Sequence, residues 1–241
     1  MPISNSQIKH IRSLQTKKYR DASGLFVVEG EKMVREALSS GLQVENVFRK
    51  DDIGEEAMAR ISSLSSPSPV LAVVRKPCRT HLAMEKGLYL GLDSIRDPGN
   101  LGTIMRIADW FGASGICASP DTVDLFNPKV VQSTMGAIFR IPFIYTDLPA
   151  ACEEVRAKGG KVYGTFLDGE NMYTRDLETG KDAPVLIVIG NEANGISREV
   201  EDKVSDRLFV PPYPADEPGS ESLNAAVATA IVVSEFRRRT L

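Results

Sequence analysis

The sequence predicts an α/β protein in two parts, a small α/β unit over residues 1–80 and a larger unit with a parallel sheet over residues 81–241. Three observations carry this. From residue 88 onward, short β-rich apolar runs alternate with helical stretches, the pattern of a parallel sheet covered on both faces. Residues 76–87 combine proline, mixed polarity and no period, as a linker does. Charge divides at the same place: residues 1–80 hold 13 basic and 9 acidic side chains, residues 81–241 hold 16 and 23.

In the first part, residues 1–20 carry Lys9, Arg12, Lys17, Lys18 and Arg20 with no acid, and read as a basic helix. With His10 and Tyr19 available to stack on bases, the stretch fits an RNA contact and a solvated helix face alike. Leu25-Phe26-Val27-Val28 follows as a strand. A helix over 31–39 then places Met33, Val34, Ala37 and Leu38 on one face and stops at Gly41. Residues 44–48 and 70–74 read as strands, with a Ser/Pro loop at 62–69 between them. In the second part, strands are expected at 88–92, 115–118, 142–145, 162–166, 185–189 and 208–210. Helices are expected at 101–113, 129–138, 149–158 and 223–239. On the last, Leu223, Val227, Ala230, Ile231 and Ser234 recur at helical spacing, which suits a core face as well as an interface.

With 25% charged and 42% apolar residues, the chain is neither collagen-like nor disordered. No run approaches the roughly 18 apolar residues of a membrane span, and the N-terminus lacks the apolar stretch of a secretory signal, so no membrane partner and a cytoplasmic location are expected. Cys78, Cys117 and Cys152 form no CxxC pair and read as reduced packing thiols. His10 and His81 stand far from the loops considered next, so neither a Ser-His-Asp triad nor a histidine metal site is expected.

Ligands of parallel sheets bind outside the carboxyl ends of the strands, and three segments leave such ends. In the first, residues 91–106, Asn100 is placed to cap the following helix, with Arg106 in its second turn. Pro-Gly-Asn is also a common turn, and a helical Arg a common surface residue. In the second, residues 185–197, a fully apolar strand breaks into a loop with Gly190, Glu192 and Gly195. Its spacing imitates a phosphate-binding loop, but Ile196 stands where the phosphate-binding Lys belongs, and no GxGxxG fingerprint exists. A neutral or cationic small molecule suits this loop better than a phosphate. In the third, residues 208–224, a proline-rich loop leads to Ser220 or Ser222 as cap of the last helix, with Asn224 in its first turn.

Together the segments DPGNLGTIMRIADWFGASGI, VLIVIGNEANGIS and LFVPPYPADEPGSESLNAAVATAI resemble, in order and spacing, the three motifs of the SpoU (TrmH-type) RNA ribose methyltransferases of the SPOUT superfamily. IKHIRSLQTKKYRDASGLFVVEGEKMVREAL resembles the substrate-binding domain that precedes many members, so the likeness covers nearly the whole chain. The resemblance implies a SPOUT-type sheet with a deep trefoil knot, a fold that pattern would never suggest. It implies S-adenosylmethionine held in the knot largely by backbone, by Thr165 and Phe166 after the fourth strand, Gly190, Glu192 and Gly195 in the second motif, and Phe209, Val210 and Leu223 around the third. It implies methyl transfer to a ribose 2′-hydroxyl of ribosomal RNA, with transfer RNA as the close alternative, by a homodimer with no metal.

A ribose hydroxyl is a weak nucleophile that must be oriented and relieved of its proton. By resemblance, Arg106 contacts the hydroxyl or adjacent phosphate; since arginine stays charged, stabilising the forming alkoxide suits it best. Asn100 and Glu192 then hold Arg106 and the loops, and Ser222 and Asn224 complete the pocket. RNA affinity is expected mainly from Lys9, Arg12, Lys17, Lys18 and Arg20, because the catalytic part is net acidic. The rivals are a non-catalytic RNA-binding or ribosome-assembly factor, and a nucleotide-binding metabolic enzyme, which Ile196 opposes.

Overall fold

The computed structural model describes residues 3–214 and 222–240; Ser220, one of the two caps expected for the last helix, lies outside them. In chain order the first elements are α1 (Asn5–Ser13), α2 (Lys17–Ser23), β1 (Leu25–Glu29), α3 (Glu31–Ser39), β2 (Val44–Arg49), α4 (Lys50–Ile53), α5 (Glu55–Ile61) and β3 (Val70–Arg75). There follow β4 (Gly87–Leu92), α6 (Pro98–Trp110), β5 (Gly115–Ala118), α7 (Pro128–Ser133), β6 (Phe143–Tyr145), α8 (Leu148–Ala157), β7 (Lys161–Asn171), β8 (Pro184–Ile189), α9 (Arg198–Glu201), β9 (Asp206–Phe209) and α10 (Ala225–Arg238). They gather into two compact units, Met1–Cys78 with Asp124–Arg140, and Arg79–Val123 with Ile141–Leu241. The first thus takes in a stretch that lies beyond the linker in sequence.

In the first unit, β1-β3-β2 form an antiparallel sheet. Ile8, Ile11, Leu14, Phe48, Met58, Ile61, Leu71 and Val73 make one cluster of its core. The expected basic helix is two helices, because Leu14 turns fully into that core and Thr16 is extended. Leu38, one residue past the buried Met33, Val34 and Ala37 of α3, is 55% exposed rather than part of that face. Arg20, expected among the exposed RNA-facing cations, is instead buried: it is 2% exposed, donating to Asp124 Oδ2 at 2.6 and 3.1 Å and to the Leu14 carbonyl at 2.8 Å. A buried guanidinium must be paired, and Asp124 supplies the charge.

In the second unit, six strands in the order β6-β5-β4-β8-β7-β9 are all parallel. The chain leaves β4 outward to β5 and β6, then returns to lay β8 against β4 from the other side, so strand order reverses between β4 and β8. Such a switch point opens a crevice at the carboxyl ends. The helix starts differ from expectation. Asp97, not Asn100, caps α6, accepting from the Asn100 N–H at 2.8 Å, with Pro98 preset in the first turn. Asn224, not Ser222, caps α10, its Oδ1 accepting from the Ala226 and Val227 N–H groups. The helix expected over 129–138 ends at Ser133, where Met135 and Gly136 take positive φ. β7 runs five residues past residue 166, its pairing with β9 shifting register between Thr165 and Glu170. Burial pushes the Cys117 and Cys152 thiols up to about 12, as packing residues require, whereas Cys78 is exposed and packs nothing.

Candidate active site

The three loops singled out in the sequence leave β4, β8 and β9, at the carboxyl edge of one sheet. The β8 loop is closed on itself: Asn191 and Gly195 exchange two backbone hydrogen bonds of 2.9 Å, and Asn191 Oδ1 accepts from the N–H groups of Ala193 and Asn194. Gly195 sits at φ +67°, which favours glycine. At Gly190 a Cβ would lie 2.3 Å from the Gly195 carbonyl carbon and 2.4 Å from the Ile196 nitrogen. What demands a glycine there is the loop's own backbone.

Two bonds tie this loop to the one after β4. Asn191 Nδ2 donates to the Ser94 carbonyl at 2.7 Å, and the buried Asp93 carboxylate accepts from the Ser197 N–H at 2.7 Å. A third tie runs through all three loops. The helix cap consumes Asn224 Oδ1, so its amide nitrogen faces outward and donates to Asn100 Oδ1 at 2.9 Å; Asn100 Nδ2 then donates to Glu192 Oε1. The cap of α10 therefore fixes the direction of every donor in the chain Asn224–Asn100–Glu192.

Arg106 lies on the exposed ridge of α6 with Thr103 and Trp110, and makes no hydrogen bond or ion pair to a described residue. It is six residues after Asn100, roughly 9 Å along the axis. Helical side chains lean toward the N-terminus, here toward the strand ends. Bonded to no described residue, this exposed guanidinium on the helix that carries Asn100 can meet an anionic group.

The expected cofactor residues gather on neighbouring strands. Thr165 pairs in register with Leu208 and donates from Oγ1 to the Val188 carbonyl at 3.3 Å. Phe166 is half-buried beneath the Arg207 guanidinium, 3.6 Å above its ring centroid. Phe209 and Val210 are half-buried at the end of β9, and the Phe209 carbonyl accepts from the Met172 N–H at 3.0 Å. Leu223 and Ser222 are exposed beside Asn224, Ser222 with no bond to a described residue. Residues 190–197 contain no Lys or Arg, and the nearest charge in them is the Glu192 carboxylate. Backbone, apolar side chains, amides and one carboxylate fit an adenosine with a sulfonium and do not fit a triphosphate. Among the described residues no group of His, Cys, Asp or Glu could hold a metal, and no helix is long and apolar enough to cross a membrane.

Sequence reasoning missed Asp93, Asn191 and Arg207, which pairs with Asp168 and Glu201 while covering Phe166. Asp97-Pro98 was legible, since an acidic cap followed by proline marks a helix start. Lys9, Arg12, Lys17 and Lys18 all lie in the other unit, exposed, with Lys17 paired to Asp21 at 2.6 Å.

Known proteins repeat this arrangement. Residues 87–234 match the model of the SpoU rRNA Methylase family, and residues 5–76 match the MRM3-like substrate binding domain. The chain is 34% identical to the 23S rRNA (guanosine(2553)-2′-O)-methyltransferase RlmP of Bacillus subtilis, over 97% of this chain and 96% of that one. Its fold superposes on a TrmH-family protein from Porphyromonas gingivalis with TM-score 0.91 and 36% identity, over 99% of this chain and all of that one. It also superposes on an AdoMet-bound rRNA methyltransferase from Sinorhizobium meliloti with TM-score 0.88 and 31% identity, over all of this chain and 97% of that one. With the three motif loops joined at one sheet edge and the family model spanning that whole unit's sheet, this chain belongs to the SpoU rRNA methylase family.

Proposed function

We propose that the chain transfers a methyl group from S-adenosylmethionine to a ribose 2′-hydroxyl of ribosomal RNA, in the cytoplasm and as a homodimer. The observation that carries this is the bonded chain Asn224–Asn100–Glu192, which joins all three loops at the edge of the sheet, with Arg106 on the same helix as Asn100 and paired to no described residue. S-adenosylmethionine supplies, when bound, a methyl group activated by its sulfonium. Thr165, Phe166, Gly190, Gly195, Phe209, Val210 and Leu223 would hold it, in a sheet whose C-terminal segment forms a deep trefoil knot. Glu192 places a negative charge beside the cationic group. Arg106, locked in its charged form, stabilises the negative charge that develops on the 2′-oxygen and clamps the neighbouring phosphate. Asn100 and Asn224 position the loops, and Ser222 lines the same mouth.

The first unit grips the RNA, through Lys9, Arg12 and Lys18 and, less strongly, through Lys17, whose charge Asp21 offsets. The second copy covers the outer face of α10. Its buried side is Ala225, Ala226, Thr229, Val232, Val233 and Phe236, which leaves Val227 49% exposed and Leu223 46% exposed. On α6, packed against α10, Trp110 is 85% exposed.

Calorimetric titration with S-adenosylmethionine and with ATP, then nucleoside analysis of ribosomal RNA after incubation, tests the reading. The expected result is binding of the first alone and a 2′-O-methylated nucleoside. ATP binding alone, or methyl groups on bases, would overturn it.

A further inference from the structure

The first unit carries a groove of about 350 Å³ between α1 and the sheet, within the range of roughly 300–1,000 Å³ typical of small-ligand sites. Its floor is apolar: Ile11, Leu25, Phe48 and Val73. Its rim is polar and largely uncommitted. His10 and Asn46 make no side-chain hydrogen bond to a described residue, and Gln7, whose Oε1 accepts from Ser4, keeps its amide N–H groups unpaired. Arg75 and Glu45 close one side as a neutral pair, Arg75 donating through Nε at 3.0 Å and through Nη2. Asn46 stands at a break in the β2–β3 register, the kind of bulge that re-aims a side chain.

We propose that this groove is a nucleobase subsite, receiving one unstacked base of the RNA substrate. A flat heterocycle with donors and acceptors on its edge satisfies both the apolar floor and the amide and imidazole rim. A phosphate does not, because the rim's charges cancel; an aliphatic side chain would leave the amides unpaired. Lys9 and Arg12 flank His10 and Ile11 on the same helix and carry the same sign of charge that the adjoining phosphates require. Every lining residue falls within the segment matched by the substrate-binding family model. The inference rests on RNA being the substrate.

The test uses the full chain and a fluorescent oligoribonucleotide of about 12 nucleotides with its abasic counterpart. The double variant His10→Ala/Asn46→Ala, both positions exposed, and the plug Ser6→Trp should each weaken binding of the base-bearing RNA by about tenfold, the lower part of what one stacked base contributes. Their salt dependence should match the parent's, while Lys9→Gln/Arg12→Gln should flatten it. S-adenosylmethionine affinity and melting temperature serve as controls for folding. Parent-like affinity in both groove variants, or an equal loss with abasic RNA, overturns the subsite and leaves the methyltransferase reading standing. A parent that binds S-adenosylmethionine but no RNA of either kind overturns both.

Discussion

Asn100→Asp keeps the shape of the central residue in the Asn224–Asn100–Glu192 chain and reverses one donor. The bond from Asn224 Nδ2, 2.9 Å in the parent, survives because the acceptor oxygen is retained. The group facing Glu192 becomes an acceptor against an acceptor. Losing a hydrogen bond to a charged group costs about 1.5–3 kcal/mol when buried; Asn100 is half-buried and Glu192 exposed, so about 1 kcal/mol is appropriate. Repulsion between two carboxylates at about 4 Å in a water-like dielectric adds about 1 kcal/mol. The sum, about 2 kcal/mol, corresponds to a roughly 30-fold rise in the dissociation constant of any ligand that needs the loops tied. Calorimetry with S-adenosylhomocysteine should read this at about pH 8. Parent-like affinity in Asn100→Asp would refute the argument that this chain of bonds sets the pocket.

Four further outcomes follow from the structure. Arg106→Ala should lower methylation by roughly 10²- to 10⁴-fold in single-turnover assays with cofactor affinity unchanged, since Arg106 makes no hydrogen bond or ion pair to a described residue; equal activity would remove it from the chemistry. Gly190→Ala drives a Cβ into the backbone of Gly195 and Ile196, so a loss of about 1–3 kcal/mol and a clear drop in melting temperature are expected, accompanied by weaker cofactor binding. Gly195→Ala, with open space but φ +67°, should cost about 1–2 kcal/mol, and an unaffected Gly190→Ala would show that the loop opens freely. Glu235, paired with Arg238 and Arg239, has its carboxyl held down at about 2. A depressed carboxylate stabilises the fold above its ordinary value near 4.5 and loses that contribution as pH falls toward 2. Glu235→Gln should therefore melt lower at pH 7 and depend less on pH through that acid window; a parallel melting curve at every pH would deny the pairing any role.

How far the sequence could be read depended on the range of the interaction that settled each feature. β5 begins and ends where the glycine-flanked apolar run does, and the other parallel strands were found with shifts only at their ends, because an apolar run between turn residues is a local signal. Helix starts moved because Asp97 and Asn100 are both good caps, as are Ser222 and Asn224; the choice falls to whichever side chain the first turn can reach. Arg20 read as one more surface cation because its partner, Asp124, stands 104 positions away. The α10 stripe shows the limit of periodicity. Leu223, Val227, Ala230, Ile231 and Ser234 do recur at helical spacing, but so do Ala225, Ala226, Thr229, Val232 and Val233, and only the second set faces the core.

The site followed the same rule with one difference. Its residue types were visible because three loops rich in glycine, amide and carboxylate left strands of one sheet, while their bonding was invisible, since Asn100 lies 92 positions from Glu192 and 124 from Asn224. Once folded, however, the bonding leaves little freedom. Two backbone N–H groups at the start of α10 claim Asn224 Oδ1, which obliges its amide to donate; Asn100 must then accept with its oxygen and donate with its nitrogen, and the only partner type that satisfies that nitrogen is an acceptor such as Glu192. A Lys at position 192 would set donor against donor, so the two asparagines require an acceptor there before any ligand enters, a need that the Glu192 carboxylate meets. The capping of one helix thereby determines the hydrogen-bond polarity at the far end of the chain, and Glu192 meets it with an acceptor that also carries a negative charge.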